Sequence, residues 1–290
     1  MSARAWLHAV RVPTLAAAVV PVAVGSALAA RDHAFRLGPA LAALLGAILI
    51  QIGTNLVNDL GDFRRGADSG VRLGPPRALA MGWLTVRDVR IGILVSFLAA
   101  TAVGLYLSSV AGWPVVAIGI VSLLAGAAYT SGPFPLAYNA LGEFFVFLFF
   151  GFVAVCGTYF VEARANSLDA AIAAIPVGAL ASAILVVNNV RDLEGDRAAG
   201  KRTVAVLLGR RGARAEYILL LLLAYLTPVA LVLAGVPPVA LMPLLTAPLA
   251  LYEGLRLFRH EGSALNASLV GTARLHVLFG ILFAAGLAIS

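Results

Sequence analysis

The segment Ala40-Leu-Ala-Ala-Leu-Leu-Gly-Ala-Ile-Leu-Ile-Gln-Ile-Gly-Thr-Asn55-Leu-Val-Asn58-Asp59-Leu-Gly-Asp62-Phe-Arg64-Arg65-Gly-Ala-Asp68 decides how this chain folds. Residues 40–58 form a nearly unbroken apolar run of the length that crosses a bilayer, about 20 residues. The run does not end in a neutral turn. Residues three and four apart share a helix face, so Asn55, Asn58/Asp59 and Asp62 make one stripe of amide and carboxylate oxygens leading out of it. A cluster of basic residues follows.

The rest of the chain repeats the first half of that pattern. Of 290 residues 61% are hydrophobic and 12% charged, against about 25% charged in average soluble domains. With mean hydropathy +0.96, the exterior must face lipid. Nine apolar runs lie near 12–30, 40–58, 91–110, 113–130, 141–161, 168–188, 216–234, 237–256 and 272–289. They predict an all-α polytopic membrane protein of nine transmembrane helices, a single domain over 1–290 with polar loops at 55–90 and 188–214. Pro114, Pro237 and Pro238 fall at or near helix starts, where a missing N–H costs little. Pro228 and Pro243 fall inside spans, which membrane helices tolerate. Arg4 and Arg11 precede Val12–Ala30, and that run ends in Ala27-Leu28-Ala29, a pattern a signal peptidase accepts. It is nonetheless as long as a spanning helix, which favours retention.

The formal charge of +7 does not indicate nucleic acid. Asn58–Arg90 and Asn188–Glu216 hold six arginines each, and the second also holds Lys201, together 13 of the 21 basic residues. Basic loops mark the cytoplasmic side. The expected arrangement is an inner-membrane protein with its N-terminus and both basic loops in the cytoplasm. The lone Cys156 permits no intrachain disulfide, and the four histidines have no ligand spacing.

A second polar stripe lies in Asn188-Asn189-Val-Arg191-Asp192-Leu-Glu194-Gly-Asp196-Arg197-Ala-Ala-Gly-Lys201-Arg202-Thr203. Here Asn188, Asp192 and Asp196 share a face. Carboxylates so spaced repel one another unless a cation lies between them. Hard oxygen donors suit Mg²⁺, which one or two carboxylates hold while substrate phosphates complete its shell. Acidic residues among arginines are ordinarily solvated surface. Here the stripes continue into apolar helices, where an acid at mid-depth costs about 2.5–3.5 kcal/mol, and the Asn-before-Asp order occurs twice. Two facing stripes would hold a diphosphate through metal, with arginines and the lysine neutralising what charge remains.

These stretches resemble the UbiA superfamily of intramembrane prenyltransferases, and within it the branch that acts on 1,4-dihydroxy-2-naphthoate in menaquinone synthesis. The likeness covers nearly the whole chain: Arg11-Val-Pro-Thr-Leu15, Pro21-Val-Ala-Val-Gly25, Gly66-Ala-Asp68, Arg72-Leu-Gly-Pro-Pro-Arg77, Tyr129-Thr-Ser-Gly-Pro-Phe-Pro135, Leu141-Gly-Glu143, Phe150-Gly151 through Gly157-Thr-Tyr159, Asp192 through Asp196, Gly200-Lys201-Arg-Thr203 and Leu208-Gly209. One departure is that the superfamily's last first-motif aspartate falls on Gly66, with the acid two residues on at Asp68.

The resemblance implies a nine-helix bundle with a central cavity open to the cytoplasm and to lipid. It implies Mg²⁺ as cofactor, held by Asp59, Asp62, Asp68, Asp192 and Asp196. Asn55, Asn58, Arg72, Arg77, Asn188, Arg191 and Lys201 would bind diphosphate, with Asp59, Asp62, Asp192, Asp196 and Lys201 catalytic. The implied reaction moves a polyprenyl group from its diphosphate to the naphthoate, releasing CO2 and diphosphate and giving demethylmenaquinone. Two alternatives stay open, namely prenyl or phytyl transfer to another aromatic acceptor and secondary transport. A transporter would place its ionisable groups near mid-bilayer rather than at one end. Glu143 reads equally as a helix-dipole charge or as an acceptor-site group. The run of Phe144, Phe145, Phe147, Phe149, Phe150 and Phe152 reads first as packing or lipid-facing surface and second as a shield for a carbocation by cation–π attraction, Tyr129 and Tyr159 as pocket walls or interfacial anchors, and Cys156 as a packing residue.

Overall fold

The computed structural model describes residues 2–66 and 73–290. Asp68 and Arg72 lie outside the described residues. The described chain is helical throughout, apart from turns and one isolated backbone bridge from Asn139 to Arg202.

Helix α1, Ala3–Val10, is capped by Ser2, whose hydroxyl accepts from the Ala5 amide. The spans follow: α2 Val12–Arg31, α3 Leu37–Arg64, α4 Val86–Ala111, α6 Gly142–Ala163, α7 Leu168–Ala198, α8 Val204–Leu233, α9 Pro238–Arg259 and α10 Gly262–Ala288. Among the described residues these eight are long and apolar enough to cross a membrane. The other expected span, α5 Pro114–Ala128, has 15 residues, about 22 Å at 1.5 Å per residue, short of a hydrocarbon core about 30 Å thick. Hydroxyl caps start several of these helices: Thr85 and Asp88 form a capping box on α4, Ser167 caps α7 and Thr203 caps α8.

Helix α7 is the axis. Its apolar window is 72% buried, against 17% for α4, so α4 is an outer wall and α7 is enclosed. The enclosing helices are α2, α6, α8 and α10. Buried Ala170, Ala173, Ala174, Gly178, Ala179 and Ala183 let them approach closely, the means by which helices pack where lipid supplies no hydrophobic drive. On α4, exposed Leu94, Val95, Leu98 and Leu105 face outward.

Two expectations need correction. Of the polar segments expected as loops at 55–90 and 188–214, the first is helix at its two ends and the second is mostly helix, because α3 continues through Arg64 and α4 begins at Val86, while α7 continues through Ala198 and α8 begins at Val204. Both acidic stripes are therefore rigid helix ends. The chain between α7 and α8 is a short turn. Gly200, at φ 71°, ends α7 in a Schellman motif, with the Lys201 amide donating to the Asp196 carbonyl and the Gly200 amide to that of Arg197. That turn sets Lys201 beside Asp196.

Helix α1 was not expected. It is too short and too basic to read as a span. Ala5 and Ala9, one turn apart, pack on Leu56, Leu60, Leu79 and Val89. The chain then turns into α2 at Arg11, which holds the left-handed conformation φ 56°, ψ 59°.

Candidate active site

A cavity of about 1110 Å³ runs among α2, α3, α4, α5, α6, α7 and α10. Asn55, Asn58, Asp59, Asp62, Arg77, Asn188, Arg191 and Lys201 line one part of it. The two polar stripes, more than a hundred residues apart in sequence, therefore meet at one end of the bundle.

The first stripe is built on α3. Asp59 is 1% exposed and Asp62 6%, values that would be prohibitive without compensation. Arg77 supplies it, with Nη2 donating to Asp62 Oδ2 at 2.6 Å and Nη1 lying 3.7 Å from Asp59 Oδ1. The Leu79 amide donates to Asp59 Oδ2 at 3.3 Å. Asn58 accepts from Thr130 at 2.9 Å. Asn55 donates to the Val10 carbonyl and to Thr14 Oγ1, both at 2.9 Å.

The second stripe is built on α7. Arg191, 3% exposed, grips Asp192 with two hydrogen bonds, Nε to Oδ1 at 2.8 Å and Nη2 to Oδ2 at 2.6 Å. It also donates to Asn188 Oδ1 at 2.8 Å and to Asn266 Oδ1 at 2.9 Å. Lys201 Nζ lies 3.5 Å from Asp196 Oδ1, while Asp196 Oδ2 is buried without a hydrogen-bond partner among the described residues. Arg77 and Arg191, expected on the diphosphate, therefore sit on the motif aspartates.

Tyr138 joins the two stripes, and no motif announced it. Its hydroxyl donates to Asp62 Oδ1 at 2.9 Å, and its carbonyl accepts from the Arg202 amide at 3.1 Å. Arg65 and Lys201 lie over its ring at 5.0 and 5.5 Å. Burial and then the Asp62 charge push the phenol far above its usual range, so it stays a neutral donor.

The matching family model is the UbiA prenyltransferase family, over residues 18–288. The chain belongs to that family. It is 32% identical to 1,4-dihydroxy-2-naphthoate octaprenyltransferase of Bacillus subtilis (strain 168) over 280 residues, covering 96% of this chain and 90% of the relative. It is 37% identical to the protein of that name from Mycobacterium tuberculosis over 246 residues, covering 85% of this chain and 83% of the relative. Its fold is similar to the structure of a UbiA homolog from Archaeoglobus fulgidus bound to GPP and Mg²⁺, with TM-score 0.66 at 17% identity, covering 96% and 99% of the two chains. The family and these relatives indicate an aromatic prenyltransferase, built as a multi-pass membrane protein.

In this UbiA-family protein, the donor set fits the divalent cation of that neighbour. The stripes offer hard oxygens, the chemistry Mg²⁺ prefers. Cations already sit against them, and Asp196 Oδ2 is left without a hydrogen bond. Among the described residues no three of the His, Cys, Asp and Glu side chains are already gathered in a metal-holding group.

Other residues sort by position. Glu143 stands in the first turn of α6, where it is 7% exposed and accepts from Asn189 Nδ2 at 2.7 Å. Tyr129 lines the cavity, whereas the Tyr159 hydroxyl donates to Asp32 at 2.7 Å, at the far end of α2. The phenylalanine run divides, because 147–153 is a π-helical turn that rotates its residues. Phe145, Phe149 and Phe150 line the cavity, Phe147 and Phe152 pack on the core, and Phe144 is exposed.

Asn266 on α10 was also missed, although a lone amide in an apolar helix is a signal for function. It accepts from Arg191 and donates to the Leu73 carbonyl at 2.7 Å. It thereby ties the second stripe to the segment carrying Arg77. Asn266→Ala removes a hydrogen bond to a buried charge, worth about 1.5–3 kcal/mol. The expected result is a lower unfolding temperature of the detergent-solubilised protein; an unchanged one would mean the bridge contributes nothing.

Proposed function

We propose that this protein transfers a polyprenyl group from its diphosphate to 1,4-dihydroxy-2-naphthoate, as one domain spanning residues 1–290. The observation that carries the reading is the meeting of the two aspartate stripes at one end of a large, mostly apolar cavity. The name and degree of identity of the relatives support the naphthoate as acceptor.

Asp59, Asp62, Asp192 and Asp196, with Asp68 from outside the described residues, would hold Mg²⁺. When bound, the metal neutralises the diphosphate and stabilises it as a leaving group. Lys201, Arg77 and Arg191, with Arg72, would turn from the aspartates towards phosphate oxygens, aided by Asn55, Asn58 and Asn188. The allylic C1–O bond breaks and diphosphate leaves with the electron pair. Phe145 and Phe149, stacked at 6.1 Å, face the cavity and would shield the allylic cation by cation–π attraction. The apolar walls exclude water, which would otherwise capture the cation. The ring carbon bearing the carboxylate attacks, a carbon–carbon bond forms, and the carboxylate leaves as CO2. No external oxidant is needed, since the product is the quinol form of demethylmenaquinone.

The basic residues around both stripes support a cytoplasmic orientation of this end, with α5 as the ninth span of the bundle and the prenyl tail lying along the helices towards lipid. Purified protein, 1,4-dihydroxy-2-naphthoate and a polyprenyl diphosphate are expected to give prenylated product with Mg²⁺ and none with EDTA. Transfer only to another aromatic acid would move the acceptor. No metal-dependent diphosphate release with any acceptor would sink the enzyme reading.

A further inference from the structure

We propose that the His276 imidazole takes the proton of the acceptor hydroxyl next to the attacked ring carbon, acting as the base of the transfer step. This rests on the reading above that the acceptor is a hydroxylated aromatic acid.

Attack on the allylic cation draws electrons from that hydroxyl, and its proton needs a receiver. Among the described residues, the proton-accepting side chains on the cavity wall are Asp59, Asp62, His8 and His276. The two aspartates face Arg77 and belong to the proposed metal site. His8 lies on α1, ahead of the first span, with its ring against Trp83 at 5.1 Å. His276 stands near the middle of α10 and is 1% exposed. Neither its Nδ1 nor its Nε2 has a hydrogen-bond partner. A neutral imidazole offers one donor and one acceptor, and leaving a buried polar group unpaired costs about 1–3 kcal/mol. An ionisable side chain in a spanning helix is costly enough to mark a functional site. The cavity is where a partner for His276 can enter.

The depth of His276 follows from its neighbours. Helices α2 and α10 both start at the end where the stripes meet. There Asn55 donates to the Val10 carbonyl and to Thr14 Oγ1, and Asn266 accepts from Arg191. The two helices run side by side, with Gly280 packed on Val20. One turn back on each, Ala16 falls level with His276. Thr14 is two residues nearer the stripes, about 3 Å along the axis. Asn55 stands one turn before Asp59, which adds about 6 Å. The imidazole is thus set roughly 9 Å deeper in the cavity than the first motif carboxylate. That interval holds the metal-bound phosphate and the carbon it releases, and leaves the imidazole beside the ring that this carbon joins. Rotation about Cβ–Cγ, a broad torsion for histidine, turns a ring nitrogen to the acceptor oxygen.

The step balances without a further reagent. As the carbon–carbon bond forms at the carbon bearing the carboxylate, the neighbouring O–H proton passes to the unprotonated nitrogen of His276 and leaves a ketone. The bond to the carboxylate then breaks, CO2 departs, and the electron pair restores the aromatic ring through that oxygen. The imidazolium returns its proton to the oxygen, which gives the quinol and regenerates the base.

The test compares wild type in detergent with His276→Gln and His276→Ala, using Mg²⁺, 1,4-dihydroxy-2-naphthoate and a polyprenyl diphosphate. Gln keeps hydrogen-bonding capacity and much of the volume, but takes no proton. Both variants are expected to lower kcat for prenylated quinol on the order of 10²-fold, the low end of base catalysis. KM for both substrates of His276→Gln should stay within about twofold, which also reports an intact fold. Free imidazole should raise kcat of His276→Ala about tenfold and leave wild type and His276→Gln unchanged. A His276→Gln kcat within about threefold of wild type would overturn the proposal, as would a matching rise in its KM values. A loss that imidazole does not reverse in folded His276→Ala would overturn it too, since the ring would then serve packing alone. A wild type that prenylates no aromatic acid would instead remove the underlying reading, and the inference with it.

Discussion

Asp62→Asn is expected to lower prenyl transfer by on the order of 10³-fold, since a ligand to the metal contributes several kcal/mol of leaving-group stabilisation. The same change has a second, separable consequence. Asp62 is the short partner of Arg77, at 2.6 Å, and both side chains are nearly buried. Removing one member of a buried pair ordinarily costs about 3–5 kcal/mol, because the other charge is left behind. Asp59 remains 3.7 Å from the same guanidinium, which places the expected loss at the lower end. Asp59→Asn and Asp62→Asn combined with Arg77→Gln remove all three charges, and should regain most of the unfolding temperature with none of the activity. Activity measured as Mg²⁺-dependent product and stability measured by thermal unfolding thus move independently. An Asp62→Asn protein with transfer within tenfold of wild type would remove Asp62 from the proposed metal-binding set.

The pairing behind that prediction could not be read from sequence, although the residues could. The asparagines and aspartates were legible because their three-and-four spacing is a property of one helix. That Arg77 closes on Asp59 and Asp62 depends on the turn around Leu79 folding back over α3, a tertiary event with no local signal. Tyr138 was hidden for a similar reason. It lies in a turn between proline and glycine, and acquires its place only when Asp62, Lys201 and Arg202 converge on it. The apolar helices were readable because hydropathy is a property of the segment itself. Their ends were not, since charged residues at the close of α3 and the start of α8 look like loop while continuing the backbone ladder. Helix α1 failed the same criterion from the other side: its eight residues are helical because Ala5 and Ala9 pack on α3 and α4, which length and hydropathy do not register. Which phenylalanine packs and which lines the cavity was not legible, because the π-helical turn breaks the 3.6-residue period.

Gly178→Ala is expected to be among the most damaging single-methyl changes in the apolar core. Gly178 lies about a third of the way along α7, facing the π-helical turn of α6. A Cβ there would stand 2.6 Å from the Phe147 carbonyl oxygen and 3.2 Å from the Gly151 Cα. Both neighbours are backbone and cannot rotate away, so α6 itself must move. Overpacking of this kind costs about 1–3 kcal/mol, and the upper figure applies where no side chain can yield. Helix propensity runs the other way, since alanine is favoured over glycine by about 1 kcal/mol. Gly104→Ala on α4 isolates that second effect, because nothing lies within 4 Å of its added Cβ. The two substitutions should therefore shift the unfolding temperature in opposite directions, down for Gly178→Ala and slightly up for Gly104→Ala. The shift of α6 would also displace Phe145 and Phe149 from the cavity wall, so residual Gly178→Ala protein should release more prenyl alcohol, the product of water capturing the allylic cation. Equal unfolding temperatures for the two variants would mean that α6 and α7 are not in backbone contact, and that the wall facing the allylic cation is built differently.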